Sequence, residues 1–151
     1  MYLISIIAVI GVTIGICILE GMSLTWLLDI PSLLIILLIT IPILFSTGML
    51  KDFNNAFAFV LGRKKAESLK QLKRSVEAVT LAIKTLLLSG FFTAFVQLVV
   101  ILGSLSDKSK LGPTLAVSIL VVVYASGLSL LLMPLRSKLK IQIVEYLSEE
   151  E

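Results

Sequence analysis

Four long apolar stretches limit the folds open to this chain of 151 residues. They cover residues 3–19, 30–50, 85–105 and 115–135, and none of them contains a charged side chain. A membrane-spanning helix needs about 20 such residues, and a single segment in hydrocarbon can satisfy its backbone hydrogen bonds only as a helix. The pattern therefore predicts an all-α membrane protein with four transmembrane helices, folded as one domain over residues 1–151.

The composition excludes several classes of protein. Hydrophobic residues make up 58% of the chain, which is too large a share for a soluble monomer to cover. The first stretch lacks a basic region before it and a small-residue cleavage site after it, so we expect a retained helix and not a signal peptide. The chain has no histidine and a single cysteine, Cys17. Since phosphate-binding loops and paired carboxylates are also missing from the sequence, we expect no metal, no cofactor and no enzymatic activity.

The basic residues are distributed unequally along the chain. Eleven of the 13 lie in two places, the segment 51–84 and the tail 136–151. The connection between the third and fourth stretches has only Lys108 and Lys110. By the positive-inside rule, both termini and the segment 51–84 are predicted to be cytoplasmic. This asymmetry accounts for the pI of about 9.1, so we expect no nucleic-acid partner.

Prolines and glycines indicate where the helices begin and bend. Pro31 can occupy the first turn of the second span, where its missing N–H has no cost, and Pro42 should kink that span. Gly112 suits a helix cap and Pro113 suits the first helical position, so the fourth helix is predicted to begin there. It is expected to continue beyond the membrane through residues 136–147.

The residues before the third span carry a helical spacing of apolar side chains. Steps of three and four residues alternate along Leu69, Leu72, Val76, Val79, Ile83 and Leu86. This seam predicts one helix over residues 66–105, roughly 60 Å long, so that the long third and fourth helices extend into the cytoplasm. The alternative is an amphipathic helix on anionic lipid headgroups, which Lys70, Lys73 and Arg74 favour.

Small and polar residues form stripes along the last two spans. One stripe consists of Ser89, Thr93 and Gln97, and the other of Thr114, Ser118, Ala125 and Ser129. Such residues either allow close helix packing or line a pore, and packing is the commoner use. Neither span contains an ionisable residue, although a proton-coupled protein needs one at membrane depth. Either a partner supplies that carboxylate or no proton is coupled.

Several short pieces of the chain occur in an order and spacing that identify a family. They are Leu19-Glu20-Gly21, Ser23-Leu24 and Asp29-Ile30-Pro31-Ser32, then Gly90, residues 98–105, Gly112-Pro113, Ala116-Val117, Tyr124, and Pro134 with Lys138-Leu139. Together they resemble the MotA family of flagellar stator proteins and, more loosely, its relatives TolQ and ExbB. The likeness covers both halves of the chain and lacks the large cytoplasmic domain of MotA.

The resemblance implies a homopentameric stator or proton channel in the bacterial cytoplasmic membrane. Its ring surrounds single-span partners of the MotB, TolR or ExbD kind, whose membrane aspartate completes the ion path. The implied pore-lining or partner-contacting residues are Gly90, Thr93, Ala94, Gln97, Ala116, Ser118, Val121, Val122 and Ala125. The implied structural residues are Pro31, Pro42, Gly112, Pro113, Tyr124 and Pro134.

Two positions depart from the family pattern. The family has Gly-x-x-Gly-Thr in its third span, whereas this chain has Gly90-Phe91-Phe92-Thr93-Ala94, with the threonine one residue early. Val121 and Val122 replace a pair of threonines in the fourth span. Because both changes remove hydroxyl groups from an ion path, two alternatives stay open. One is a non-conducting MotA-like scaffold ring, and the other is a holin-like or accessory pore protein.

The predicted orientation can be tested with an impermeant thiol reagent. In a Cys17→Ser background, Ser106→Cys should react from outside the cell, because residue 106 belongs to the connection that is poor in basic residues. Ser68→Cys, in the basic segment, should not react. Labelling in the reverse pattern contradicts the orientation.

Overall fold

The computed structural model describes residues 2–21, 23–66, 68–103 and 108–149, and these residues are almost entirely helical. The elements are α1 (Tyr2–Leu19), a 3-10 turn (Leu24–Leu27), α2 (Ile30–Ser46), α3 (Leu50–Val60), α4 (Leu69–Gly103) and α5 (Lys108–Glu149). No strand occurs within the described ranges, which confirms the all-α prediction. Residues 104–107, including Ser106 and the end of the predicted third span, lie outside them.

The two longest helices, α4 and α5, pack side by side in opposite directions. The antiparallel direction follows from two contacts: Ser129 Oγ lies 3.4 Å from the carbonyl oxygen of Ile83, and Ala125 packs on Gly90. With 35 and 42 residues, the helices reach about 52 Å and 63 Å. Each therefore runs well beyond its predicted span.

Two helices, α4 and α5, are by themselves long and apolar enough to cross a membrane. A third crossing is reached if α2 and α3 count as one broken span, and α1 is a shorter apolar helix. Apolar helices thus occur in the order of the four predicted spans. Two of them, or three if the bent pair counts as one span, are long enough to cross a membrane. Large apolar side chains remain exposed on all of these helices except α3, as expected for surfaces that face lipid or another chain.

A sharp bend separates α2 from α3. The two helices meet at 101°, and Gly48 between them has a φ of +66°, a left-handed conformation that glycine adopts without strain. The second span was predicted to run to residue 50, but α2 ends at Ser46. The helix is continuous through Pro42, so the main change of direction lies at Gly48 and not at the proline.

The helix α3 was not predicted as a separate element. Its apolar side, with Ala56 and Phe59 buried, packs on α4 and α5, and the Phe53 and Phe57 rings meet edge to face. Its first turn is tied to α4 by an ion pair between Asp52 and Arg74 at 3.0 Å. This helix was not predicted because its apolar pattern covers only 11 residues. It lies within the segment 51–84, which was described by its basic residues.

The start of α5 corrects a second prediction. The helix begins at Lys108, so Gly112 and Pro113 lie inside it and not at its cap. A proline this close to the N-terminus removes one hydrogen bond, to the carbonyl of residue 109, without stopping the helix. Beyond Pro134 the helix continues to Glu149, as predicted for residues 136–147.

One side chain of α5 holds the connection between α1 and α2. The Tyr124 hydroxyl donates a hydrogen bond to the carbonyl of Leu27 and accepts one from the backbone N–H of Asp29 at 2.7 Å. The Ser32 hydroxyl in turn donates to the Asp29 carboxylate. Tyr124 was predicted to be a structural residue. Its hydroxyl joins α5 to Leu27 and Asp29, which lie 97 and 95 positions earlier in the chain.

Replacing Tyr124 by phenylalanine tests this link. The change leaves a part-buried N–H and carbonyl without their partner, so we expect a loss of about 1–3 kcal/mol in the free energy of unfolding. Thermal unfolding in detergent measures it, with Tyr146→Phe as the matched control on the same helix. Equal melting temperatures for the two variants contradict the proposed contribution of the hydroxyl.

Candidate functional site

Helices α4 and α5 approach each other closely at Gly90 of α4. A Cβ atom built on Gly90 lies 2.3 Å from the Cβ of Ala125 and 3.4 Å from the carbonyl oxygen of Val121. Real Cβ atoms do not come this close to one another, so the two backbones meet where residue 90 has no side chain. Glycine and alanine here do what small residues do at membrane helix interfaces: they allow the backbones to approach.

Most of the predicted pore-lining residues are buried within the single chain. Six of the nine are enclosed: Gly90, Thr93, Ala94, Ser118, Val121 and Ala125. Val121 has no exposed surface at all, and Ala125 only 1%. In this arrangement these residues pack the chain's own helices together, and Thr93 and Ala94 keep only 7% and 8% of their surface exposed.

Three predicted residues keep exposed surface. Ala116 is exposed, and Gln97 and Val122 are half-buried. The two valines that stand where the family has threonines therefore differ in exposure: Val121 is buried, and only Val122 has surface that a pore could reach. A threonine at position 121 would have its hydroxyl enclosed between helices, as the Val121 side chain is now.

Three buried serine hydroxyl groups along these helices make hydrogen bonds inside the chain. Ser118 donates to the carbonyl of Thr114 at 3.0 Å, and Ser89 donates to that of Leu86 at 2.9 Å. Ser129 donates to the carbonyl of Ala125 at 2.7 Å. Bonds of this kind satisfy the proton of a buried hydroxyl within its own helix.

Gln97 is the predicted pore-lining residue that has an unpaired polar atom. Its Oε1 atom is buried and has no hydrogen-bond partner in the described part of the chain. Ser75 Oγ, Arg136 Nε and Gln142 Oε1 are likewise buried without a partner there. An unpaired amide oxygen in an apolar environment is costly. The arrangement thus leaves one acceptor on α4 that a group from outside the chain can satisfy.

The apolar exposed surface of α4 lies beside these residues. It is formed by Phe91, Phe92, Phe95, Val96, Val99, Val100 and Leu102. Lys84, about two turns before Phe91, is the last charged residue of α4 before this surface.

Sequence reasoning missed the network around Asp29. From the sequence, Asp29 had a place only among the pieces that resemble the MotA family. The structure instead brings it to Tyr124, in the middle of α5. The spacing Asp29–Ser32, three residues apart at a helix start, was the available signal for the local hydrogen bond, but the contact with α5 is tertiary.

Comparison with known proteins does not identify a family. No family model, no curated protein and no solved structure matches the chain. Within the described residues, no group of three or more potential metal ligands occurs. The resemblance to MotA therefore stays a prediction.

The contact at Gly90 can be tested by a compensating pair of substitutions. Gly90→Ala forces two Cβ atoms together, so we expect a loss of about 1–3 kcal/mol in stability. Adding Ala125→Gly removes the opposing Cβ and should restore most of the loss, as measured by unfolding in detergent.

Gly127→Ala is the matched control, because a Cβ there has no neighbour within 4 Å. If Gly90→Ala is as mild as Gly127→Ala, or if the double variant is worse than Gly90→Ala, the close approach is not what orders α4 and α5.

Proposed function

We propose that this chain is a subunit of a pentameric MotA/TolQ/ExbB-like ring in a bacterial cytoplasmic membrane. In this proposal the ring couples ion flow to mechanical work on a single-span partner whose membrane aspartate completes the ion path. The observation that carries the proposal is the close antiparallel pair of α4 and α5. This pair contains most of the residues that resemble the family, including Gly90, Ala116 and Tyr124.

The length of the pair supports the proposal. At about 52 Å and 63 Å, both helices exceed the hydrocarbon thickness of about 30 Å. The excess lies on the side of Lys84, Arg136 and Lys138, where the charge distribution predicts cytoplasm. Helices that project in this way can transmit motion to or from a cytoplasmic surface.

The unpaired oxygen of Gln97 supports a partner at the same level. It lies on the helix that carries the exposed apolar surface of α4, so a neighbouring helix can reach both. A neighbouring subunit or the single-span partner can donate a hydrogen bond to this oxygen, and interhelical bonds of this kind help membrane helices associate.

A non-conducting scaffold ring is the second candidate, and a specific observation favours it. Val121 is fully enclosed, and Ser89, Ser118 and Ser129 give their hydroxyls to carbonyls of the chain. These residues then serve helix packing, which needs no ion path. In this case the ring is kept and the conduction is lost.

Native mass spectrometry of the chain in lipid nanodiscs tests the ring. We expect an assembly of five copies of the 16.5 kDa subunit, because the family that the chain resembles forms pentameric rings. Neighbouring subunits in such a ring cover exposed apolar surface and can donate a hydrogen bond to the Gln97 oxygen, which lipid tails cannot do. A stable monomer or dimer contradicts the proposal.

Co-expression with a single-span protein that has a central aspartate separates the two candidates. A conducting ring gives a proton flux in liposomes that disappears when the partner's aspartate is replaced by asparagine. A scaffold binds the partner and gives no flux in either case.

A further inference from the structure

Two cavities adjoin each other on the side of α5 that faces α1 and α2. The larger has a volume of about 320 Å³ and the smaller one of about 260 Å³. Leu128 and Leu131 of α5 line both of them, and residues of α1 and α2 complete the walls of each. Because the two spaces share these residues, we treat them together as the α1–α5 cavity.

The α1–α5 cavity is elongated. Its lining extends along α2 from Leu33 to Leu44, which is about 16 Å at the helical rise. Leu27 and Tyr124 border the smaller cavity, and Phe53 of α3 borders the larger one. A long, thin occupant therefore fits this space better than a compact one.

The lining of the α1–α5 cavity is apolar. Its side-chain hydroxyls belong to Thr13, Thr40 and Tyr124, and each of them donates its proton to a backbone carbonyl. None of the lining residues is charged. A buried water molecule needs about two to four polar partners, so an apolar cavity stays dry or takes up an apolar ligand. The part of a ligand that enters this cavity is therefore hydrocarbon.

The cavity is continuous with the apolar outer surface of the chain. Ile10 and Ile14 of α1 line the smaller cavity and are also 48% and 38% exposed, and Ile41 of α2 lines the larger one and is 49% exposed. In a chain with helices that can cross a membrane, such an outer surface faces lipid. Lipid is therefore the source of hydrocarbon next to the cavity.

The packing of α1 leaves room for a hydrocarbon chain and not for a helix. Among the described residues, α1 packs on α5 and makes few contacts with α2. A further helix is about 10 Å wide with its side chains, so it cannot enter without separating α1 from α5. A single hydrocarbon chain is much thinner. It would restore the dispersion contacts that side chains around an empty space lose.

We propose that the α1–α5 cavity binds one hydrocarbon chain of a membrane phospholipid. The hydrocarbon chain lies beside Leu128 and Leu131 and provides the packing between α1 and α2 that the protein's own side chains leave open. The headgroup stays outside, because the lining offers no polar group to bind it. This inference requires that the protein lies in a membrane, and it requires neither the ring nor the ion path of the proposed function.

Native mass spectrometry of the full chain tests the site. The protein is reconstituted in vesicles of dioleoylphosphatidylcholine and then extracted with sodium cholate. This lipid has no net charge, so basic residues do not select it, and the steroid detergent has no long alkyl tail that could replace it. We expect one phospholipid per chain to remain bound. Adding the lipid to lipid-free protein should also raise its melting temperature, because the lipid binds the folded state.

Gly127→Leu and Gly112→Leu are a matched pair of variants on α5. A Cβ atom at either position has no neighbour within 4 Å, but of the two residues only Gly127 lines the cavity. Gly127→Leu places a side chain in the space of the hydrocarbon chain, so we expect roughly tenfold less bound lipid and little lipid-dependent rise in melting temperature. Gly112→Leu should behave like the unchanged protein. Leucine is a better helix former than glycine, so both variants should fold.

Several results overturn the proposal. One is a protein that retains no phospholipid, whether as a monomer or as a dimer in which a second copy covers the cavity. Another is equal retention by the two variants, which places the lipid on the outer surface. A third is a free fatty acid, identified by its mass, in protein purified directly from cells. A monomer with one bound phospholipid keeps the lipid site and removes the ring, whereas a pentamer without lipid does the opposite.

Discussion

The contact between Gly90 and Ala125 is the constraint on which the rest of the structure depends. Because residue 90 has no side chain, the backbones of α4 and α5 approach closely enough to enclose Val121 and to place Ser129 beside the carbonyl of Ile83. The other helices pack on this pair: α2 and α3 contact both of its members, and α1 contacts α5. In membranes, where lipid is as apolar as leucine, this packing and not hydrophobic burial holds helices together.

The pair also holds other parts of the chain in place. The Tyr124 hydroxyl binds Leu27 and Asp29, in the connection between α1 and α2, near the middle of α5. At the opposite end, the left-handed Gly48 turns α3 across the direction of α2.

The stripes of small and polar residues have one use that the structure makes visible. Ser118 and Ser129 bond to their own helix, and Ala125 makes room for Gly90. The two candidate functions differ in whether these residues also line an ion path once the chains have assembled into a ring. Among the predicted pore-lining residues, Gln97 has a buried oxygen that requires a donor which the described residues do not provide.

Length, apolarity and charge determined the general form of this protein, because they act locally along each segment. They were sufficient for the helical class, the order of the apolar helices, the continuation of α5 beyond Pro134 and the long α4, which begins three residues later than predicted. Predictions from local sequence were wrong or incomplete in two situations. In one, a helix tolerates a residue that usually ends or begins it; in the other, a contact between distant residues determines the structure. Pro113 did not begin a helix, since one lost hydrogen bond near the N-terminus is cheap. Which small residues face a neighbouring helix depends on the phase in which α4 meets α5, and the position of the connection between α1 and α2 depends on the hydroxyl of Tyr124. Only the tertiary structure decided these two points, because neither contact joins residues close in sequence.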